Sequence, residues 1–168
     1  MAAELELYLI RHGLAGEHGS YANDDERPLT EEGKKKTKQV AKRLADLELQ
    51  FDLILTSPLV RAYQTAEILM DTGLGKRLEK STDLASGELE SWLTWLKSWQ
   101  PGSDRRLALV GHEPSLSQWA ESLVFGRSIG ALEMKKAGVI GLVLPDQVDP
   151  VGRSRLFWLT PPRFLINS

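Results

Sequence analysis

The feature that most restricts this chain is a repeated change of period: short apolar runs give way to segments with helical spacing, then return. Leu5–Ile10 (Leu-Glu-Leu-Tyr-Leu-Ile) reads as a buried strand stopped by Arg11-His12-Gly13. The stretch from Leu14 to Arg27 is rich in Gly, Asn and Asp and has no period, so it reads as a surface loop. A helix should start at Thr30, whose hydroxyl can cap free amides, with Glu31 and Glu32 at the positive end of the dipole. Val40, Leu44 and Leu47 share one face of it, and the lysine-rich stretch 34–38 falls on the solvated side.

Phe51–Thr56 reads as a second strand. Ser57 at the cap and Pro58 at the first helical position should open a helix running through Arg61, Thr65 and Leu69 to Gly73. A further helix is expected near Ser86, with Leu89, Trp92, Leu93, Leu96 and Trp99 as its apolar stripe and Pro101-Gly102 as its stop. The helical spacing of Trp92, Trp95 and Trp99 points to core packing. Arg106–Val110 reads as a strand ending at Gly111-His112-Glu113-Pro114, and a short helix from Ser115 presents Leu116, Trp119, Ala120 and Leu123. Val139–Leu144 and Leu156–Leu159 complete the strands.

This alternation implies a three-layer α/β/α sandwich on a mostly parallel central sheet. The 168 residues fit one domain over 1–168, with no repeat and no linker. Lys plus Arg number 21 and Asp plus Glu 23, a net charge of −2, which speaks against a dedicated binder of nucleic acid or of membrane surfaces. The absence of cysteine excludes a disulfide framework, a thiol nucleophile and Cys-ligated zinc. No apolar run approaches the ~20 residues needed to span a bilayer, and Met1–Glu6 has no leader character, so the expected location is cytoplasmic.

Ligands of such sheets bind beyond the carboxyl ends of the strands. Three of those ends carry unusual polar residues: Arg11-His12-Gly13, Ser57-Pro58-x-x-Arg61 and Gly111-His112-Glu113. If these strands are neighbours, two histidines and two arginines meet at a helix N-terminus, a setting for a phosphate dianion. Gly13 and Gly111 would let the backbone turn beside the pocket unobstructed. A neutral imidazole can attack phosphorus to form a phosphohistidine that water later hydrolyses. Arginines and a second imidazole would neutralise the transition state, so no metal or other cofactor is expected. Residue chemistry alone leaves open which histidine attacks.

These residues resemble the histidine phosphatase (phosphoglycerate mutase-like) superfamily. The resemblance rests on Arg11-His12-Gly13, the later His112, Ser57-Pro58-x-x-Arg61-Ala62-x-x-Thr65-Ala66 and Arg27-Pro28-Leu29-Thr30-x-x-Gly33. The short chain without insertions is similar to the SixA-type phosphohistidine phosphatases. The resemblance implies transient phosphorylation of His12, with Arg11, Arg61 and His112 holding the phosphoryl group and Ser57 and Gly13 beside it. Where mutase-like members carry Asn seven residues after the motif Arg, this chain has His18, a weak candidate for substrate contact. The general acid that phosphomonoester-cleaving members use has only Asp83, Glu88 and Glu113 as candidates here, none in a matching motif.

An alkoxide leaving group needs a positioned acid, worth ~10²–10⁴-fold, whereas an imidazole with pKa ~6.5 departs with less help. The expected substrate is therefore phosphohistidine on a protein, as in a phosphorelay, with a small phosphomonoester as the alternative. A catalytically inactive protein that binds phosphorylated partners is the rival from another class.

Overall fold

The computed structural model describes residues 4–166; residues 1–3, part of the N-terminal stretch read above as leaderless, lie outside it. Six strands form one sheet: β1 (Leu5–Arg11), β2 (Leu53–Thr56), β3 (Leu78–Lys80), β4 (Arg106–Gly111), β5 (Val139–Leu144) and β6 (Arg155–Thr160). Their order is β3-β2-β4-β1-β5-β6. The first four in that order are mutually parallel, and β5 runs antiparallel to both β1 and β6. Five helices connect them: α1 (Glu31–Asp46), α2 (Val60–Asp71), α3 (Asp83–Ser86), α4 (Leu89–Ser98) and α5 (Ser115–Phe125).

Alternation along the strands builds two cores. Leu5, Leu7 and Leu9 of β1, with Leu53, Leu55, Leu107 and Leu109, pack against Leu84, Trp92, Leu116 and Trp119 of α3–α5. Tyr8 and Ile10, with Ile54, Ala108 and Val110, pack against Val40, Leu44, Ala62 and Leu69 of α1 and α2. The result is the expected three-layer α/β/α arrangement. Trp92 is fully buried and stacks on Trp119 at 5.5 Å, while Trp95 and Trp99 are only partly buried against it.

Thr30 caps α1 as expected, its Oγ1 accepting from the Gly33 amide at 2.9 Å. Several boundaries depart from the sequence reading. Strand β3 was not anticipated, because three residues with one apolar side chain, Leu78, carry no readable period. The helix expected near Ser86 is two helices, separated where Gly87 adopts φ +78° and closes α3 in a left-handed C-cap. The stretch 14–27 is not structureless: it pairs Ala15 with Leu29 in an antiparallel bridge and holds a 3-10 turn, Asp24–Glu26, capped by Asn23. Ser57 and Pro58 do not occupy the cap and first position of α2, which begins at Val60 after Leu59. Ser57 Oγ instead accepts from the Leu59 amide at 3.2 Å, just ahead of the helix.

Candidate active site

Strand order decides the site. Because β4 lies between β2 and β1, Arg11 is in register with Gly111, and Thr56 with Val110. Two main-chain bonds carry this alignment past the strand ends. The His12 amide donates to the Gly111 carbonyl at 3.0 Å, and the Ser57 amide donates to the Val110 carbonyl at 2.9 Å. His12, His112 and Ser57 thus emerge side by side at the carboxyl end of the sheet, with the His12 and His112 ring centres 5.2 Å apart.

His12 is buried, and its Nδ1 lies 2.7 Å from the Gly13 carbonyl oxygen. A carbonyl can only accept, so Nδ1 carries the proton and Nε2 keeps its lone pair. Burial pushes the imidazole down to about 3; the Gly13 carbonyl opposes this, while His112, Arg61 and Arg11 add to it. His12 is therefore neutral at physiological pH, the form that can attack. His112 is pushed down to about 4, by burial first and then by Arg61, Arg11 and Arg27, with Asp24 opposing. Its Nε2 shares a 2.7 Å hydrogen bond with Ser57 Oγ, which fixes the ring.

Gly13 is fixed by close approach rather than by a sharp turn: a Cβ there would collide with Thr37 Oγ1 of α1. Both of its backbone groups are used within the protein, the carbonyl by His12 and the amide by Thr65 Oγ1 at 3.1 Å. Thr65 Oγ1 in turn donates to the Arg61 carbonyl at 2.8 Å, tying β1 to the first turns of α2. Gly33 plays a similar part, since a Cβ there would run into the Leu14 carbonyl. Gly111 meets only ordinary contact with Leu116.

The arginines enter from opposite sides. Arg11 Nη1 donates to the Met134 carbonyl at 2.7 Å. Arg61, in the first turn of α2 and only 7% exposed, donates from Nη1 to the Asp24 carbonyl at 2.9 Å and lies 3.3 Å from the Asp24 carboxylate. Burial lowers the pKa of both guanidiniums, yet arginine starts so far above neutrality that both stay cationic. Among the described residues, five buried side-chain polar atoms have no hydrogen-bond partner, and three of them are Arg11 Nε, Arg61 Nε and His112 Nδ1. Orphaned nitrogens are costly when buried, and three of them gather at one end of one sheet, two on cationic guanidiniums, an arrangement with the chemistry to receive an anion.

The weaker sequence candidates fare differently. His18 is exposed, near enough to Asp24 to lower its carboxyl pKa. Glu88 is exposed and Asp83 half-buried at the start of α3. Glu113 follows His112 directly, but its carboxylate is taken by the Ser117 hydroxyl at 2.5 Å. Glu113 and Met134 also wall a cleft of about 320 Å³ beside Arg11.

Three contributors escaped the sequence reading. Arg27, quoted only as the entrance to the first helix, is close enough to depress His112 and binds Asp24 through Nε at 2.8 Å. Asp24 binds Arg61 and Arg27 together. Glu121, a buried carboxylate, collects the amides of Gly130, Ala131 and Leu132 and the Ser128 hydroxyl. Burial pushes Glu121 up, but these bonds outweigh it and hold the carboxyl below its usual range. It thereby shapes the segment that delivers the Met134 carbonyl to Arg11. An Asp three residues before an Arg hints at a local pair, but nothing in the sequence shows that pair turning inward. Among the described residues, no group of three or more His, Asp or Glu is placed to hold a metal ion, and no helix is long and apolar enough to cross a membrane.

A three-layer fold with two arginines and two histidines around one strand-end crevice places the molecule in a known class. The chain belongs to the histidine phosphatase superfamily, branch 1, whose family model it matches over residues 7–114. It is 46% identical over 164 residues to an uncharacterized protein of Picosynechococcus sp., covering 96% of this chain and 99% of that one. A shorter match, 35% identical over 65 residues, links it to the mitochondrial serine/threonine-protein phosphatase Pgam5 of Drosophila persimilis, covering 36% of this chain and 22% of that protein. Among solved structures, the protein histidine phosphatase SixA complexed with tungstate superposes with a TM-score of 0.80 at 22% identity, over 96% of this chain and 99% of that one. A SixA described as a phosphohistidine phosphatase of Agrobacterium tumefaciens gives 0.73 at 22% identity, over 93% and 97%. Family and fold together support a phosphatase with a histidine-based mechanism.

Proposed function

We propose that the protein hydrolyses a phosphoryl group through a covalent intermediate on His12 Nε2, and that its substrate is a phosphohistidine carried on a protein. The observation that carries the first part is the Nδ1 bond to the Gly13 carbonyl, which leaves Nε2 unprotonated in a crevice with Arg11, Arg61 and His112. The lone pair of Nε2 forms the new P–N bond while the bond to the leaving group breaks, and the leaving imidazole takes up a proton from solvent water. Water then attacks phosphorus, releasing phosphate and restoring the neutral imidazole. Arg11 and Arg61 offset the charge on the phosphoryl oxygens. A dianion a few ångströms from His112 favours its protonated form, so the same charge that binds also converts His112 into a cationic donor. No metal is required by this scheme.

Support for a phosphohistidine substrate comes from the poverty of acids. Glu113 is engaged by Ser117. The carboxyl of Asp24 is held below its usual range, chiefly by the Arg27 hydrogen bond, so it has no proton to give. A leaving imidazole tolerates this better than an alkoxide. One feature favours the second reading, a small phosphomonoester: the 320 Å³ cleft beside Arg11 has the capacity for a compact leaving group and has Glu113 on its wall. A cytoplasmic location belongs to the same proposal.

Phosphate release from a phosphorylated histidine phosphotransfer domain, measured beside release from a sugar phosphate, separates the readings. Faster release from the phosphoprotein is expected; faster turnover of the ester would reverse the assignment. The inactive-binder reading is tested by His12→Ala, which should abolish release from either substrate.

A further inference from the structure

We propose that Asp24 is a resident counter-anion of the phosphate site, which holds the Arg27 and Arg61 guanidiniums between turnovers and keeps the product anion from binding too tightly. The inference rests on the phosphate-site reading above and adds a role for a residue outside the segments on which the sequence resemblance was based. Asp24 Oδ1 is 2.8 Å from Arg27 Nε, Oδ2 is 3.3 Å from Arg61 Nη2, and its main-chain carbonyl accepts from Arg61 Nη1 at 2.9 Å. It is the one carboxylate, among the described residues, that forms a salt bridge to either of these arginines.

Burying a guanidinium is expensive unless it is paired, and Arg61 is almost entirely withdrawn from solvent. Asp24 supplies that pairing from a short turn whose own geometry is set by Asn23, which accepts from the Asp25 amide at 3.1 Å. The turn thus has a cap of its own in addition to its bonds to the arginines. The Asp24 side chain is 38% exposed, so the carboxylate can give ground towards water when another anion arrives. Substrate and product both bring a phosphoryl dianion to the Arg61 guanidinium that Asp24 holds. The carboxylate then becomes a like charge beside the ligand, and its repulsion falls on bound phosphate. Arg61 stays placed throughout, because its Nη1 contact is to main chain. The side chain therefore sets how firmly an anion is held, and the backbone of the same residue sets where.

The test is calorimetric titration with inorganic phosphate at pH 8 and fixed ionic strength, using wild type, Asp24→Asn, Asp24→Ala and Asp24→Glu. Asn keeps the size and an acceptor for Arg27, and Ala keeps only the carbonyl to Arg61; both remove the charge. Repulsion between one carboxylate and a dianion in a partly solvated site is large enough that both should bind phosphate about tenfold more tightly. Asp24→Glu should stay within about twofold of wild type, since the charge is kept. Unchanged or weaker binding by both neutral variants would overturn the inference, because a merely structural Asp24 would loosen Arg61 and cost affinity. Failure of the wild type to bind phosphate at all would overturn the site itself; binding by wild type without tightening in the variants would overturn the counter-anion alone.

Discussion

The two ends of the parallel strands carry charges of both signs and treat them in opposite ways. At the amino ends, charges answer one another. Arg106 Nε meets Glu6 at 2.9 Å, and Lys76 meets Asp104 at 2.8 Å. The buried Asp52 carboxylate accepts from the amides of Asp104 and Arg106 at 3.3 and 3.2 Å. At the carboxyl ends, two guanidiniums and one imidazole each keep a buried nitrogen without a partner, and the other imidazole is pushed far below its ordinary pKa. The first end is a satisfied network that stabilises the fold; the second holds unmet hydrogen-bonding capacity, which the proposed phosphoryl group would use. Substitutions should therefore separate cleanly by pole, with losses of turnover at one and losses of stability at the other.

The largest effect belongs to His12→Ala. Removing a covalent nucleophile costs on the order of 10³-fold or more in turnover, and steady-state phosphate release measures it. Next is Arg61→Lys, which keeps a charge but loses the planar fork; kcat/KM should fall about 10²-fold with the unfolding midpoint nearly unchanged. The matching change at the other pole, Asp52→Ala, should leave kcat/KM alone and lower stability by about 1–3 kcal/mol in urea denaturation, since it strands the amides of Asp104 and Arg106. If Asp52→Ala instead abolished turnover while stability held, the division between the poles would be wrong.

A smaller effect appears with pH. His12 and His112 titrate near 3 and 4 in the folded chain, below the ordinary value of 6.5. Above 6.5 both are neutral whether folded or not, and their contribution is fully present. As pH falls below 6.5 the unfolded chain takes up protons that the native site refuses, so stability is lost progressively towards pH 4 and 3. Urea midpoints across that range should drop less steeply for His12→Gln than for wild type. The smallest effect belongs to the half-exposed Arg106–Glu6 pair, where Arg106→Gln should cost no more than about 1 kcal/mol.

Local chemistry made part of the molecule legible beforehand, and tertiary contacts hid the rest. Strands β1, β2, β4 and β5 declare themselves by apolar runs, and the cap of α1 by Thr30, because local chemistry decides both. Arg11, His12, Arg61 and His112 could be picked out because each sits at or just beyond a strand end, where a polar residue needs a reason. Short β3 was invisible because its pairing with β2, not its composition, makes it a strand. Ser57 was read both as a helix cap and as a neighbour of the phosphoryl group; it misses the cap position of α2 by two residues and bonds His112. The roles of Asp24 and Glu121 were not legible: Asp24 lies in a polar stretch without period, and the Glu121 carboxylate is spent on amides nine or more residues away.

The central claim is that phosphate passes through His12 Nε2. Rapid quenching of the protein during turnover of a radiolabelled substrate, followed by peptide mapping, tests it most directly. A label that survives base, is lost in acid and maps to His12 is the expected result, with no label on His12→Ala. Release of phosphate at full rate with no label trapped, or with the label on His112, would contradict the account.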